Sequence, residues 1–229
     1  MEARYQRNIG AITEKEQEAL NNATVLIAGC GGLGGYIIEL LARAGVGHLV
    51  LYDGDVFEES NLNRQLYATG DTLGQPKASA AKARILAVNP NTRITAVDER
   101  LTEENIHGAL KGCTLAVDAL DNVATRLLLE DACEALNIPY VFGGVNGWFG
   151  SVCAVAPGTR VVRRLYGGQQ AEQTSKSALG PAVAATAALE AATAIRLLLG
   201  EPPDGRMLLM DCKKGTFDAI SLFEGEKDG

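Results

Sequence analysis

The sequence lacks the basic runs and the long uninterrupted apolar stretches that mark nucleic-acid-binding and membrane proteins. Its formal net charge is -7, and no cluster of lysines and arginines stands out along the chain. A nucleic-acid binder concentrates positive charge, so we expect no DNA or RNA partner. The longest apolar stretch, residues 182–194, is interrupted by Thr186 and Glu190, and the chain opens without an apolar leader. We therefore expect a soluble, cytoplasmic protein without a membrane partner.

Cysteine is sparse and irregularly spaced, which argues against a zinc site and against a disulfide framework. The five cysteines are Cys30, Cys113, Cys133, Cys153 and Cys212, and no two of them form a CxxC pair. Structural zinc sites and disulfide scaffolds both depend on regular cysteine spacing, so we expect neither. Cys153 and Cys212 fall in predicted strands, where buried thiols are usually inert. Cys30 lies in a glycine turn and is interpreted as a packing residue.

Apolar strand-like runs alternate with segments of helical spacing. The runs cover residues 23–28, 48–52, 94–97, 114–117 and 140–142, and helices are predicted over residues 77–88, 102–110 and 123–136. Such alternation is typical of a parallel sheet with helices on its faces. Later runs near residues 151–155, 207–210 and 217–222 predict further strands. The predicted fold class is α/β, a Rossmann-like doubly wound and mostly parallel sheet continued by antiparallel C-terminal strands.

The size of the chain favours one domain. Its 229 residues, 47% of them hydrophobic, suffice for a single core, so one domain is predicted over residues 1–229. Within it we expect an N-terminal helical arm at 1–22 and a polar crossover loop at 157–178. The alanine-rich segment 180–199 predicts a long helix that packs either at an interface or simply in the core.

A glycine motif follows the first strand and opens the next helix. Gly29, Gly31 and Gly34 satisfy GxGxxG, with Gly32 between them. Glycines in this context permit a tight turn, a close approach of the backbone to phosphate, and close packing of helix on strand. Asp53 ends the second strand, where a carboxylate can accept hydrogen bonds from ribose hydroxyls. An adenine nucleotide is expected, and NAD, FAD and ATP all remain open on this motif alone.

Polar and cationic side chains after Asp53 favour a triphosphate. The set comprises Asn61, Arg64, Gln65 and Lys77. Arg64 can make bidentate contacts with phosphate oxygens, and Lys77 can place a compact charge at the α-phosphate. A dehydrogenase has no need of these cations, so the cluster favours ATP.

A further apolar strand ends in carboxylates. Residues 115–122 read Leu-Ala-Val-Asp-Ala-Leu-Asp-Asn. Ligands of doubly wound sheets lie at the carboxyl ends of the strands, so Asp121 and Asn122 are expected at the same crevice as Gly31. Asp121 can hold Mg²⁺ against a triphosphate. Asp118 is the alternative carboxylate, and it can instead cap or orient the loop.

These motifs together resemble the ThiF/MoeB/HesA group, relatives of the ubiquitin-activating enzymes, over nearly the whole chain. The opening Arg4-Tyr5-Gln6-Arg7 resembles the group's N-terminal signature. The resemblance implies a homodimer in which Arg7 reaches the partner's nucleotide site in trans. The catalytic residues it implies are Arg7, Arg64, Lys77 and Asp121. The residues it implies for binding ATP and Mg²⁺ are Gly29, Gly31, Gly32, Gly34, Asp53, Asn61, Arg64, Gln65, Lys77, Asp121 and Asn122.

The activity implied by this resemblance is adenylation of the C-terminal Gly-Gly carboxylate of a ubiquitin-like sulfur-carrier protein, in thiamine or molybdopterin biosynthesis. One alternative is another carboxylate, such as a peptide terminus or a modified tRNA nucleoside, although the acidic net charge weighs against tRNA. Another is a non-catalytic nucleotide-binding protein or a dinucleotide-dependent oxidoreductase. Neither of the latter two explains the phosphate-binding cluster.

The sequence departs from the group in its cysteines. Many relatives hold a structural zinc with two CxxC pairs, and this chain has neither pair, so we predict no zinc site. Relatives that relay sulfur covalently place a cysteine in the crossover loop, and residues 157–178 contain none. We therefore expect an external sulfur donor.

Overall fold

The computed structural model describes residues 2–166 and 177–222. Within these residues eight strands form one sheet, in the order β3-β2-β1-β4-β5-β6-β7-β8. The strands are β1 (Thr24–Ala28), β2 (His48–Tyr52), β3 (Arg93–Val97), β4 (Leu115–Asp118), β5 (Tyr140–Asn146), β6 (Phe149–Val155), β7 (Arg206–Asp211) and β8 (Thr216–Ser221). The pairs from β3 to β5 are parallel, and those from β5 to β8 are antiparallel. This arrangement confirms the predicted fold class.

The strand order reverses between β1 and β4, which are neighbours in the sheet although far apart in sequence. The segments that follow the two strands at such a point run in opposite directions, so a crevice opens between them, outside the carboxyl ends of the strands. The glycine motif and the segment after β4 both follow strands at this point. The topology therefore places the predicted nucleotide residues at one end of the sheet.

Seven α-helices lie within the described residues. They are α1 (Glu14–Asn22), α2 (Gly32–Ala44), α3 (Lys77–Val88), α4 (Ile106–Leu110), α5 (Val123–Ala135), α6 (Val161–Tyr166) and α7 (Gly180–Leu198). Helix α3 has the predicted bounds, whereas α4 is shorter than the predicted helix 102–110. The Asn105 side chain accepts a hydrogen bond from the Thr102 amide at 2.8 Å and donates one to the Arg100 carbonyl at 2.9 Å. These bonds hold residues 102–105 in a turn, so the helix begins later.

Helix α6, which was not predicted, lies within the predicted crossover loop 157–178; residues 167–176 lie outside the described part of the chain, and the crossover loop itself stays a prediction. Helix α6 begins at a buried carboxylate on α5. Glu130 accepts hydrogen bonds from the Val162 amide at 2.7 Å, the Arg163 amide at 2.9 Å and the Tyr140 hydroxyl at 2.8 Å. A carboxylate that caps the first turn of a helix stabilises it, and this contact cannot be recognised from the local sequence.

Two hydrophobic cores lie on the two faces of the sheet. One contains side chains of α2, α3 and α7, and the other contains side chains of α4, α5 and α6. Among the described residues, α7 is the one helix long and apolar enough to cross a membrane by length and composition. Its buried face packs against α2, β5 and β6. The long alanine-rich helix is thus a core helix, and whether its outer face forms an interface stays a prediction, as does the single domain over residues 1–229.

Glu190 is a buried carboxyl group on α7 that has no hydrogen-bond partner among the described residues. Its side chain is fully buried, and neither oxygen has a hydrogen-bond partner among the described residues. It lies where a side chain at Gly143 would stand. Burial raises the pKa of Glu190 well above its ordinary value, and the charge of Asp118 adds to this, while Arg126 opposes it. Above pH 4.5, the ordinary pKa of this group, Glu190 therefore keeps its proton in the folded protein, whereas the unfolded chain releases it.

We expect this proton to make the free energy of unfolding fall as the pH rises. A carboxyl group with a raised pKa in the folded state contributes stability that is present below its ordinary pKa of 4.5 and is lost above it. Each unit of displacement corresponds to about 1.4 kcal/mol. Glu190→Gln, which stays neutral, should flatten the decrease between pH 5 and pH 8, as measured by urea unfolding. Glu103→Gln, at an exposed position, serves as the control. The prediction would be contradicted if the free energy of unfolding changed equally with pH in the wild type, Glu190→Gln and Glu103→Gln.

Candidate nucleotide-binding site

The glycine motif forms a tight loop against the end of β4. Gly29 has φ of +98°, which a residue with a side chain rarely adopts. A Cβ atom at this position would also lie 2.7 Å from the Ala119 carbonyl oxygen. Gly34 stands in the first turn of α2, where an added Cβ would overlap the Gly29 carbonyl oxygen. Only glycine at these two positions lets β1, α2 and the segment after β4 come together.

Helix α2 directs its amino-terminal end into this crevice. Gly31 is its N-cap residue and Gly32 its first residue, and no side chain caps the helix. The first amides of a helix have no partner within the helix and carry a partial positive charge, so they form a natural anion site. The Gln65 side chain lies against this loop, 3.4 Å from where a Cβ at Gly31 would be. Its buried Oε1 has no partner among the described residues, which fits a bound ligand.

Asp53 links the ends of β1 and β2. One carboxylate oxygen accepts a hydrogen bond from the Cys30 amide at 2.7 Å, and the other accepts one from the Asp55 amide at 2.8 Å. Burial raises the pKa of Asp53 above its ordinary value, although the two amides and Lys77 act in the opposite direction. Burial and the adjacent Asp53 also raise the pKa of the Cys30 thiol. A thiol held protonated is a poor nucleophile, which supports the interpretation of Cys30 as a packing residue.

Lys77 is the first residue of α3, and its side chain is 9% exposed. Its Nζ lies 3.4 Å from Asp55 Oδ2, while the other Asp55 oxygen accepts a hydrogen bond from Arg100 at 2.7 Å. The Lys77 amide donates to the Asp55 carbonyl at 3.0 Å. A chain of contacts thus runs from the glycine loop through Asp53 and Asp55 to Lys77.

Asn61 and Arg64 lie in the connection between β2 and α3, where Asn61 ends a short 3-10 helix (Glu59–Asn61) and Arg64 lies in the turn after it. The Asn61 side chain is buried; its Oδ1 accepts from the Glu58 amide at 3.1 Å, and its Nδ2 donates to Ser60 Oγ at 3.3 Å. Arg64 donates to the Ser60 carbonyl at 2.9 Å and to Asn63 Oδ1 at 2.8 Å. Asn61 therefore shapes the turn that carries Arg64, and a phosphate contact by Arg64 requires its guanidinium to turn away from these partners.

The two carboxylates at the carboxyl end of β4, Asp118 and Asp121, have different surroundings. Asp118 is fully buried; it accepts from the Leu120 amide at 3.1 Å and from Arg126 Nη1 at 3.1 Å. Arg126 also donates to the Leu120 carbonyl, and its guanidinium lies 4.8 Å from the centre of the Phe142 ring. Burial raises the pKa of Asp118, with Arg126 opposing. Asp118 thus has the loop-orienting role that the sequence left open.

Asp121 instead is exposed, and its side chain has no hydrogen-bond or ion-pair partner among the described residues. It is the carboxylate of this loop that is available to a metal ion. Asn122 is the N-cap of α5 and accepts from the Thr125 amide at 2.9 Å, so it starts a helix.

Arg7 lies away from this crevice. Tyr5 is buried, and its hydroxyl accepts a hydrogen bond from Asn89, the residue after α3, at 2.7 Å. Asn8 donates to the Ala44 carbonyl at the end of α2, at 3.2 Å. Arg7 between them is exposed. Because α2 starts at the glycine loop and is roughly 20 Å long, Arg7 cannot be a contact of the nucleotide site in its own chain.

Sequence reasoning missed Asp55, Arg100 and Arg126. Asp55 stands two residues after Asp53, a spacing that could have pointed to it, whereas Arg100 and Arg126 carry no recognisable local signal.

The prediction that Cys212 lies in a strand is wrong. Cys212 follows β7 directly and is partly exposed, because the strand ends at Asp211.

The ThiF family matches residues 5–228. The chain belongs to the ThiF family. A relative in curated collections, the sulfur carrier protein ThiS adenylyltransferase of Escherichia coli, is 36% identical to this ThiF-family chain over 227 residues, which is 96% of the chain and 90% of that protein. The SAMP-activating enzyme E1 of Haloferax volcanii is 35% identical over 226 residues, or 95% of the chain and 84% of that protein. The resemblance found in the motifs is confirmed.

A solved structure of Escherichia coli MccB with ATP has the same fold as this ThiF-family chain. The TM-score is 0.81 at 21% sequence identity, and the match covers 99% of the chain and 74% of MccB. At this identity the likeness concerns the fold alone.

Proposed function

We propose that this ThiF-family protein binds ATP and adenylates the C-terminal Gly-Gly carboxylate of a ubiquitin-like sulfur-carrier protein. The observation that carries the proposal is the crevice itself. An uncapped helix N-terminus and the Asp53 carboxylate lie at the glycine loop, and the Lys77 ammonium is linked to them through Asp55. Asp121, which has no partner among the described residues, follows the segment at Ala119 that packs against Gly29. The names of the relatives support the same activity. The carrier belongs to thiamine or molybdopterin biosynthesis, and the reaction takes place in the cytoplasm.

The reaction needs positioning and charge neutralisation rather than a covalent enzyme intermediate. A carboxylate oxygen of the carrier attacks the α-phosphorus of ATP, the bond to the bridging oxygen breaks, and pyrophosphate leaves. Lys77 holds the α-phosphate, and Arg64 binds the outer phosphates once its guanidinium leaves Ser60 and Asn63. The glycine-loop amides hold the phosphate chain, and Asp53 accepts hydrogen bonds from the ribose hydroxyls.

Asp121 is the residue that would hold Mg²⁺. Its exposed carboxylate is a hard oxygen ligand at the end of β4, and it has no competing partner among the described residues. When bound there with the triphosphate, the ion supplies charge neutralisation for the leaving pyrophosphate. Asp118 cannot take this role without giving up Arg126.

The test is carrier-dependent exchange of labelled pyrophosphate into ATP, with a panel of small carriers that end in Gly-Gly. Exchange with one carrier, and none with the same carrier lacking its last glycine, would support the proposal and identify the pathway. ATP binding without exchange for any carrier would point to another carboxylate, such as a peptide terminus, or to a non-catalytic nucleotide-binding protein.

The proposal includes a homodimer in which Arg7 completes the partner's site. Support comes from the position of Arg7, which is exposed at the end of α2 remote from its own glycine loop. Its guanidinium has no partner among the described residues and is held on an anchored arm, which suits it to a phosphate bound by another subunit.

Mixing two inactive variants tests the trans arrangement. Arg7→Ala and Asp121→Ala should each lose exchange activity as homodimers. A heterodimer of the two has one complete site, so random pairing of equal amounts should restore roughly a quarter of the wild-type rate. Recovery should follow the heterodimer fraction, measured by native mass spectrometry. No recovery in a confirmed heterodimer would show that Arg7 and Asp121 serve the same chain.

The proposal also includes an external sulfur donor. Burial raises the pKa of Cys113 to about 11, and those of Cys133 and Cys153 to about 12. Cys212 is the cysteine that is partly exposed. Cys212→Ser should therefore keep the wild-type rate of carrier thiocarboxylation with added sulfide. A variant without any cysteine, checked for its melting temperature, should keep it too; complete loss in a folded variant would show a covalent relay.

A further inference from the structure

Asp55 lies between two cations at the edge of the nucleotide crevice. Its Oδ1 is 2.7 Å from Arg100 Nη2, whereas its Oδ2 is 3.4 Å from Lys77 Nζ. Arg100 is thus at ordinary hydrogen-bond distance, while the contact with Lys77 is long. The carboxylate is held mainly by the cation that stands outside the predicted phosphate-binding set.

The backbone around Asp55 allows little movement. Its amide donates to Asp53 at 2.8 Å, and its carbonyl accepts from the Lys77 amide at 3.0 Å. The Arg100 side chain is 78% exposed, but its aliphatic part passes close to Gly54, where an added Cβ would lie 2.6 Å from Arg100 Cγ. A glycine at this position allows Arg100 to reach Asp55 directly.

These contacts decide how much charge Lys77 can offer to a phosphate. Asp55 and Lys77 alone form a neutral pair, and a phosphate would have to compete with the carboxylate for the ammonium. Arg100 brings the group of three to a net charge of +1 and draws the carboxylate to its own side. Because Arg100 compensates the charge of Asp55, this carboxylate repels an approaching phosphate less than it would without Arg100.

We propose that Arg100 is a positioning residue for nucleotide binding: it holds the Asp55 carboxylate away from Lys77 and so leaves the Lys77 ammonium available to ATP. The inference rests on the proposed role of Lys77. Arg100 itself does not touch the nucleotide. Its effect on ATP binding therefore has to disappear when the charge of Asp55 is removed.

A double-mutant cycle on the full chain separates this role from a direct contact. The variants are Arg100→Gln, Asp55→Asn and the double variant, and the readout is the Kd of ATP by titration calorimetry without carrier. Arg100→Gln should weaken ATP binding by about three- to fivefold, the range of a partly exposed ion pair, and less at high salt. Arg100→Gln in the Asp55→Asn background should have no effect. Arg196→Gln, which removes a comparable surface pair with Glu201, is the control.

Additive effects in the two backgrounds would overturn the inference, because Arg100 would then contact the nucleotide directly. An unchanged Kd in Arg100→Gln, or an equal change in Arg196→Gln, would overturn it as well. The readout is independent of the carrier. A protein that binds ATP and gives this cycle, yet exchanges no pyrophosphate with any carrier, would contradict the proposed adenylation while the inference on Arg100 holds.

Discussion

Asp121→Ala should lower carrier-dependent pyrophosphate exchange by at least about 100-fold, the size of effect seen when one group that stabilises a transition state is removed. The same change should leave the free energy of unfolding within about 0.5 kcal/mol, because Asp121 is exposed and its side chain has no partner in the described part of the chain. Asp121→Ala should therefore lose exchange activity while it keeps the stability of the wild type. Exchange kinetics and urea unfolding of the same preparation measure the two quantities.

Asp118→Ala is the matched comparison, since Asp118 is the last residue of β4 and lies three residues before Asp121. Its removal leaves the buried Arg126 guanidinium without its carboxylate, and breaking a buried ion pair in this way costs about 3–5 kcal/mol. Asp118→Ala should thus be strongly destabilised. If Asp121→Ala kept its exchange activity while Asp118→Ala lost it in the folded state, the metal-binding role would belong to Asp118.

Gly34→Ala should have the second large effect. The added methyl group would overlap the Gly29 carbonyl oxygen, so α2 could not keep its place against the glycine loop. Overpacking of this kind costs about 1–3 kcal/mol and sometimes more, and we expect the upper end because the opposing atom belongs to the backbone. ATP binding should be lost together with stability, since the displaced α2 amides form the proposed anion site.

Gly35→Ala, the next residue, is the control for Gly34→Ala. Its added methyl group would meet its nearest neighbour, Leu66 Cβ, at 3.5 Å, which is an ordinary contact. Alanine also favours a helix over glycine by about 1 kcal/mol. Gly35→Ala should therefore melt at or above the wild-type temperature and bind ATP with the wild-type Kd. Equal losses in both variants would mean that any side chain in this turn disturbs the site.

Local patterns predicted most of the elements. The strands near β1 and β2 and helix α3 were recognisable because their apolar residues follow the period of a strand or a helix. The fold class followed from the alternation of these elements. Helix α6 was missed, and it begins where Glu130, about thirty residues earlier, satisfies its first amides; a cap supplied from another element leaves no trace in the sequence around it.

The predicted nucleotide-binding residues also divide into those that follow from local sequence and those that depend on distant elements. Gly29, Gly34 and Asp53 follow strand ends at spacings that any reader of the sequence can recognise, because the chemistry of a phosphate loop is local. The distinction between Asp118 and Asp121 is not local. It depends on Arg126, which is buried on α5 and takes Asp118 as its partner, leaving Asp121 exposed.

By itself the sequence determined the order of strands and helices, the glycine loop with Asp53 at the end of the next strand, and the ThiF family, since each depends on residues close together along the chain. Only the tertiary structure decided which carboxylate at the carboxyl end of β4 is available and that Arg7 lies remote from its own glycine loop. It also decided that Glu190 is buried without a partner among the described residues, and that Asp55 stands between Lys77 and Arg100. The reason is physical: burial and charge pairing are set by elements that are distant in sequence and meet only in the folded protein.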